Sequence, residues 1–429
     1  MTEGIQPIGY GKIVTVAGSL MEASGLTVPV GTICRIGGSR ADSIAKVVGF
    51  SGKKTQLAAI RKCLFLRPGD RVYPGEGVSS TLALPSVSRV VGRVVDPLGE
   101  PLDGRGLIPG STFAKMETSH SNPLAKRPID TLFDVGVRAI NTCMPIGLGQ
   151  RVGIFAGSGV GKSTLLSMMA RHSEAEAVVV ALVGERGREV REFIERGMGS
   201  SLSTSVVVAA PADYPPLLKM QGAEYACSLA EELRSQGKHC LLIMDSLTRY
   251  AMAAREVGLA TGEPPATKGY PPSVFAKINE LVERAGNGSE SEGSITAFFT
   301  ILSEGDDMMD PVADSARAIL DGHITLSRRL ADSGHYPPIE IGASVSRVFP
   351  WILDKKRASD ALLLRGLVSA AERSSELVAI GAYAKGSDPL LDEAISKKAA
   401  IDAFLRQPPD EKSSFATSFE SLARIIGKP

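Results

Sequence analysis

The stretch Phe155-Ala156-Gly157-Ser158-Gly159-Val160-Gly161-Lys162-Ser163-Thr164 reads FAGSGVGKST. Upstream, RVGIF (151–155) is a short apolar run suited to a buried strand. Downstream, KSTLLSMMARH (162–172) places Leu165, Leu166, Met168 and Met169 on one helical face. Strand, glycine-rich turn and helix form the context a phosphate-binding loop requires. Glycines at 157, 159 and 161 let backbone N–H groups converge on one anion without Cβ clashes. The helix N-terminus adds unpaired donors and the positive end of its dipole. Lys162 would reach the β- and γ-phosphates, and the Ser163 hydroxyl would hold Mg²⁺. Gly157, Ser158, Gly159, Val160, Gly161, Lys162, Ser163 and Thr164 are therefore the candidate nucleotide contacts. Ala156 stands where the motif usually has its first glycine, a position where a small residue suffices.

The whole chain sets the frame around this loop. At 429 residues it should hold two or three domains and bury a large core. A net charge of +1 gives no general bias toward nucleic acid or anionic membrane. Five cysteines (34, 63, 143, 227, 240) are scattered and unpaired in spacing, which suits core thiols in a reducing compartment. The five histidines lack ligand spacing, so no structural zinc is expected. No apolar run approaches the ~18 residues of a membrane span. MTEGIQPIGYGK lacks the apolar core of a signal peptide. A cytosolic protein that meets membrane only through partners is expected.

Three regions follow from the pattern. Residues 1–88 hold short strand-like runs broken by Gly and Pro (KIVTVAG, AKVVGF, KTQLAAI, DRVYPGE), which predicts a small β-barrel. The barrel lacks aromatic runs for base stacking, so an assembly role fits better than nucleic-acid binding. In residues 89–348, VGIFA, AVVVALVG, SVVVAA, HCLLIMD and SITAFFTIL are nearly continuous apolar strands separated by helical segments such as 219–236. That alternation predicts an α/β nucleotide-binding core with a parallel sheet. Residues 349–429 turn helical, with 359–384 and 391–407 as the main segments. AGNGSESEG (285–293) reads as an exposed, mobile loop.

Two acids complete the candidate chemistry. Asp245 ends the apolar strand LLIMD, where it would face the phosphates and orient the water shell of Mg²⁺; the alternative is a cap for the following helix. Glu185 ends ALVGE and could orient and polarise an attacking water; the alternative is a solvated cluster with Arg186, Arg188 and Glu189.

Longer blocks carry a resemblance. GVRAINTCMPIGLGQRVGIFAGSGVGKST, LVGERGREV and VVGRVVDPLGEPLDG (90–104) resemble the hexameric rotary ATPases. VVVAAPAD (206–213), LLKMQGAEYA (217–226), LLIMDSLTRYAMA (241–253), GEPPATKGYPPSVFAK (262–277), ERAGNG, EGDDMMDPVADSARAILDGHITLSRRLADSGHYP and AYAKGSDP narrow this to the flagellar protein export ATPases. The resemblance covers nearly the whole chain. It implies a RecA-like core hydrolysing ATP with Mg²⁺ to drive export of flagellar proteins.

The resemblance also implies residue roles. Glu185 matches the family's catalytic glutamate, and Arg186 would approach the γ-phosphate. Tyr336 falls where the family stacks an aromatic on adenine; otherwise it is a half-buried core tyrosine. Arg347 falls at the arginine finger, which reaches a neighbour's nucleotide; otherwise it is a surface arginine. In rotary ATP synthases the glutamate and the finger come from two subunit types. Here one chain carries both, so a homohexamer with head-to-tail interfaces is expected. Implied partners are a coiled-coil stalk protein facing 380–392, a regulatory peripheral-stalk-like protein, export gate membrane proteins, and export chaperones with their substrates; nucleic acid is not among them. The expected location is cytoplasmic, peripherally associated with the cytoplasmic side of the export apparatus. Family members usually carry an N-terminal amphipathic helix that binds a regulator. Only about a dozen residues precede KIVTVAG and Pro7 interrupts them, so either the regulator binds differently or the true start lies upstream of the given one. A virulence injectisome ATPase, an ATP synthase subunit and a hexameric RNA helicase are the alternatives.

Overall fold

Alternating apolar residues build the first domain. The computed structural model describes residues 9–37, 43–61, 65–75, 84–108, 122–302 and 310–427. Cys63, Pro7 and most of the EGDDMMD block lie outside them. Six strands, β1 (Gly11–Ala17), β2 (Leu20–Ser24), β3 (Ile33–Ile36), β4 (Ser43–Ser51), β5 (Lys54–Ala59) and β6 (Arg71–Pro74), close into a barrel in the order β1-β2-β5-β4-β3-β6. Every second residue points inward. Ile13, Met21, Ala23, Cys34, Ala45, Val47, Leu57 and Val72 fill the interior. The predicted small barrel is present.

The central domain is built on strands that are apolar throughout. β7 (Val94–Val95) lies at one edge; β8 (Leu132–Phe133) and β9 (Ile146–Gly147) form a separate pair. The main strands are β10 (Arg151–Ala156), β11 (Ala177–Val183), β12 (Ser205–Ala210), β13 (His239–Asp245), β15 (Ser294–Leu302), β16 (Gly322–Leu326) and β17 (Ile339–Ser346). β14 (Gly286–Asn287) pairs with β15 off the main path. The order is β17-β16-β10-β15-β13-β11-β12-β7. Neighbours along it are parallel, except that β17 runs antiparallel to β16. β11 and β12 are buried at every residue because helices cover both faces. On one face lie the helix Lys162–His172 and the C-terminal helices; on the other lie Pro216–Ser235, Leu247–Ala260 and Pro272–Glu283.

Register decides where chemistry can happen. Ala156 pairs with Leu302, Ile243 with Phe298, and Leu182 with Asp245. The C-terminal ends of β10, β15, β13 and β11 therefore share one rim of the sheet. Open α/β sheets bind ligands on that rim.

The third region is helical: Lys355–Arg373, Pro389–Leu405 and Phe415–Ile426. Each starts on a side-chain cap, from Asp354, Asp388 and Ser414 respectively. Leu364, Leu367, Phe404 and Leu422 join the core beneath the sheet. Arg138 Nη1 donates to Phe404 O at 2.9 Å, and its guanidinium pairs with Glu411, pinning these helices to the centre.

Two expectations need correction. The helical segment 359–384 is interrupted: one helix ends at Arg373, a short one covers Ser375–Ala379, and 380–388 is a turn. Ala382 N returns to Leu377 O, closing the chain into a hairpin. AGNGSESEG is not an exposed loop at its start. Gly286–Asn287 pairs with β15, and Asn287 Nδ2 donates to Pro128 O at 2.8 Å. Tertiary pairing overrides its loop-like composition.

Candidate functional site

β10 delivers the glycine-rich loop to the sheet rim. Gly161 takes φ +92°, which favours glycine, and caps the helix without a side chain. The first amides of Lys162–His172 stay open as donors. A cavity of about 660 Å³ opens against this loop, within the range of small-molecule sites. All eight loop residues named above line it.

Lys162 stands among acids. Its Nζ pairs with Asp245 Oδ1 and lies 3.5 Å from Glu185 Oε1. Thr300 Oγ1, on β15, donates to Asp245 Oδ1 at 2.6 Å and fixes that carboxylate. Asp245 is buried at the end of β13, and Ser163 opens onto the cavity beside it. Glu185 follows β11 by two residues. Burial first, then the charge of Asp245, pushes Glu185 up to about 7, with Lys162 opposing. Glu185 Oε1 is buried and, among the described residues, lacks a hydrogen-bond partner. Glu189 is held below the usual carboxylate range, chiefly by its hydrogen bond with Glu185. An acid near 7, with an orphaned oxygen beside a lysine, is suited to take up a water and its proton near neutral pH.

The lining carries five cations (Lys162, Arg186, Arg188, Arg249, Arg328) and three carboxylates (Glu185, Glu189, Glu192). The excess of two positive charges suits a polyanion. Open helix donors, the orphaned carboxylate oxygen and this charge fit a nucleotide triphosphate with a hard cation. The Ser163 hydroxyl and Asp245 carboxylate are oxygen ligands of the kind Mg²⁺ takes, directly or through water.

The remaining sequence-derived residues divide. Arg186 is exposed at the mouth, before the short helix Gly187–Glu192. Tyr336 is 46% exposed and places its ring over the loop, 3.4 Å from where a Cβ on Gly161 would lie. Its carbonyl accepts from Gln407 N at 3.0 Å. Arg347 is not at this site. Its N–H donates to Asp321 O, and Asp321 N donates to Arg151 O, each at 2.9 Å. Arg347 is therefore level with the first residue of β10, while the loop starts beyond the last. The separation is about 17 Å at ~3.3 Å per residue, beyond the reach of one side chain.

Two arginines escaped the sequence reading. Arg249 lies in the first turn of the helix after Asp245, with its Nε buried and, among the described residues, unpartnered. Its stem crosses Gly184, where a Cβ would come within 2.9 Å of Arg249 Cβ. A base shortly after a strand-end acid, as in DSLTR, was the available signal. Arg328 Nη2 donates to Ser158 O at 2.8 Å. Nothing local in SRRLAD marks it.

This geometry has close counterparts among known proteins. Residues 136–346 match the ATP synthase alpha/beta family nucleotide-binding domain, and 353–424 match the C-terminal domain of the type III secretion ATPase EscN. A flagellum-specific ATP synthase of Salmonella typhimurium is 51% identical over 426 residues, spanning 97% of this chain and 93% of the relative. The chain belongs to the flagellar and type III secretion ATPase family. The structure of the assembled ATPase EscN from enteropathogenic E. coli superposes with a TM-score of 0.91 at 38% identity, covering 97% of this chain and all of that one. EscN in complex with its central stalk EscO gives 0.88 at 37% identity, with the same coverage. Membership makes this an ATPase and accounts for the three-part architecture.

Proposed function

We propose that this chain is the ATP-hydrolysing ring subunit of a flagellar protein export apparatus. The observation that carries the ring is the split of Glu185 from Arg347. Glu185 sits on the phosphate rim, while Arg347 is exposed just past the edge strand β17, at the opposite end of the sheet. Arg347 can serve only a neighbour's nucleotide. Identical copies arranged head to tail complete every site, and six close the ring.

The residues then take these roles. The loop amides and Lys162 hold the β- and γ-phosphates. Ser163 and Asp245 hold Mg²⁺, which when bound neutralises charge on the phosphates. Glu185 orients the attacking water and accepts its proton at Oε1. Arg186 and the neighbour's Arg347 stabilise charge that develops at the γ-phosphate; such fingers are worth about 10³- to 10⁵-fold elsewhere. Tyr336 stacks on adenine. The 1–88, 89–348 and 349–429 regions act as crown, motor and output domains. The hairpin carrying Leu377 and Ile380, 51% and 75% exposed, meets a coiled-coil stalk. A regulatory peripheral protein, the export gate, and chaperones with their cargo complete the assembly. No helix among the described residues is long and apolar enough to cross a membrane, so the ring meets the membrane through these partners.

Greater likeness to the flagellar relative than to EscN favours flagellar cargo over an injectisome. A chromosomal Glu185→Gln exchange tests this. Swimming and flagellar protein export should fall together. Persistence of both with loss of another secreted set indicates an injectisome, and failure of respiratory growth indicates a synthase.

A further inference from the structure

Segment 327–338, between β16 and β17, touches both the phosphate loop and the C-terminal helices. Arg328 and Arg329 are consecutive on its short helix, Arg328–Asp332, and their side chains diverge. Arg328 Nη2 donates to Ser158 O at 2.8 Å. Arg329 Nη2 lies 3.3 Å from Glu372 Oε1 on the helix Lys355–Arg373, and 3.5 Å from Glu340 Oε2 on β17.

The first contact acts on a chosen atom. Ser158 C=O and Gly159 N–H belong to one planar trans peptide, so they point in opposite directions. A guanidinium at the cavity wall that holds the carbonyl fixes the amide toward the other side. Gly159 takes φ +75° and has nothing within 4 Å of where a Cβ would lie. Among the described residues, no packing on that flank replaces the tether.

The second contact reports a joint with room to move. A cavity of about 210 Å³ separates the segment from the C-terminal helices, lined by Leu330, His335, Leu367, Ala371, Ile401 and Leu405 among others. Glu372 lines this cavity, Glu340 lies in direct contact with Glu372, and Arg329 is the cation that pairs with both. Burial and the nearby Glu340 push Glu372 up to about 7, as expected for carboxylates held close together. A shift of the helix carrying Glu372 must either pull Arg329 along or break this triad.

We propose that Arg328 and Arg329 form a two-armed brace that transmits the seating of the C-terminal helices to the phosphate loop. Arg328 is then a positioning residue for nucleotide binding, acting through the Ser158–Gly159 peptide. Arg329 is its link to the domain assigned the stalk-facing role. The inference rests on the reading of this loop as the ATP site.

The test uses the full-length enzyme and steady-state ATP hydrolysis. Arg328→Ala should raise KM for ATP roughly three- to tenfold, the scale of one hydrogen bond from a charged donor, with kcat changed less than about twofold. Arg328→Lys, which can still donate, should recover most of the loss. Arg329→Ala should raise KM about two- to threefold, and the double variant should match Arg328→Ala alone, because the second arm acts only through the first. Melting temperatures and oligomeric state are measured alongside. Effects on KM that multiply in the double variant overturn the brace, as does an unchanged KM in Arg328→Ala whatever its melting temperature. A wild-type enzyme that does not hydrolyse ATP would overturn the nucleotide reading instead.

Discussion

Replacing Glu185 by glutamine should stabilise the nucleotide-free protein while removing its activity. In the folded chain Glu185 is pushed up from 4.5 to about 7, by burial and by Asp245. Its side chain is only 13% exposed, so solvent screens little of this. A rise of about 2.5 units corresponds to roughly 3 kcal/mol; allowing for mutual compensation in the cluster, about 2 kcal/mol is expected. The sign follows from proton counting. Between pH 4.5 and about 7 the folded state holds a proton that the unfolded state has released. Raising pH through this window therefore destabilises the wild type, and the full penalty applies above it. Glutamine keeps the shape and carries no charge. Lys162 retains Asp245, so no unpaired ammonium remains. Thermal melts in EDTA, without nucleotide, should show the variant ahead by about 2–5 °C at pH 8 and level with wild type near pH 4.5. Hydrolysis should fall by about 10²- to 10⁴-fold, the usual worth of a positioned acid–base group. A variant no more stable at pH 8, or a gain that is the same at every pH, would refute the reasoning.

Other outcomes follow from particular contacts. Tyr336→Ala should raise KM for ATP roughly three- to tenfold through lost ring stacking, while Tyr336→Phe stays near wild type; ATP titrations of both variants decide. Arg138→Ala removes the Phe404 O and Glu411 contacts, and should cost about 2–3 kcal/mol, read as earlier release of the C-terminal helices in hydrogen exchange. Gly161→Ala places a Cβ at φ +92°, and should cost about 1–2 kcal/mol of stability and weaken ADP binding measured by calorimetry.

What the sequence disclosed depended on whether the signal was local. The phosphate loop is contiguous, so its strand, turn and helix could be read directly, and Lys162–His172 falls on the expected residues. Asp245 was marked by the end of an apolar run, and the register with Leu182 brings it to the rim. Arg249 and Arg328 reach the same cavity only because β13 and β16 end there. Residue spacing does not encode that convergence. β16 and β17 were not predicted because each mixes buried with half-exposed residues near a sheet edge. The interruption after Arg373 is likewise nonlocal in origin: 359–384 keeps a helical apolar pattern, but Leu377 and Ile380 project into solvent beyond the packed helices. Asn287 shows the converse, a polar turn residue drawn inward by the carbonyls of Arg127 and Pro128.

The central claim is that each active site is made by two copies, one giving Glu185 and the next giving Arg347. The direct test mixes two inactive variants, Glu185→Gln and Arg347→Ala, in equal amounts under assembling conditions. If the copies associate at random, about a quarter of the interfaces pair an intact Glu185 with an intact Arg347. Hydrolysis should reappear at about that fraction of the wild-type rate, although neither variant alone is active. Mixed rings that assemble but stay inactive would contradict the account.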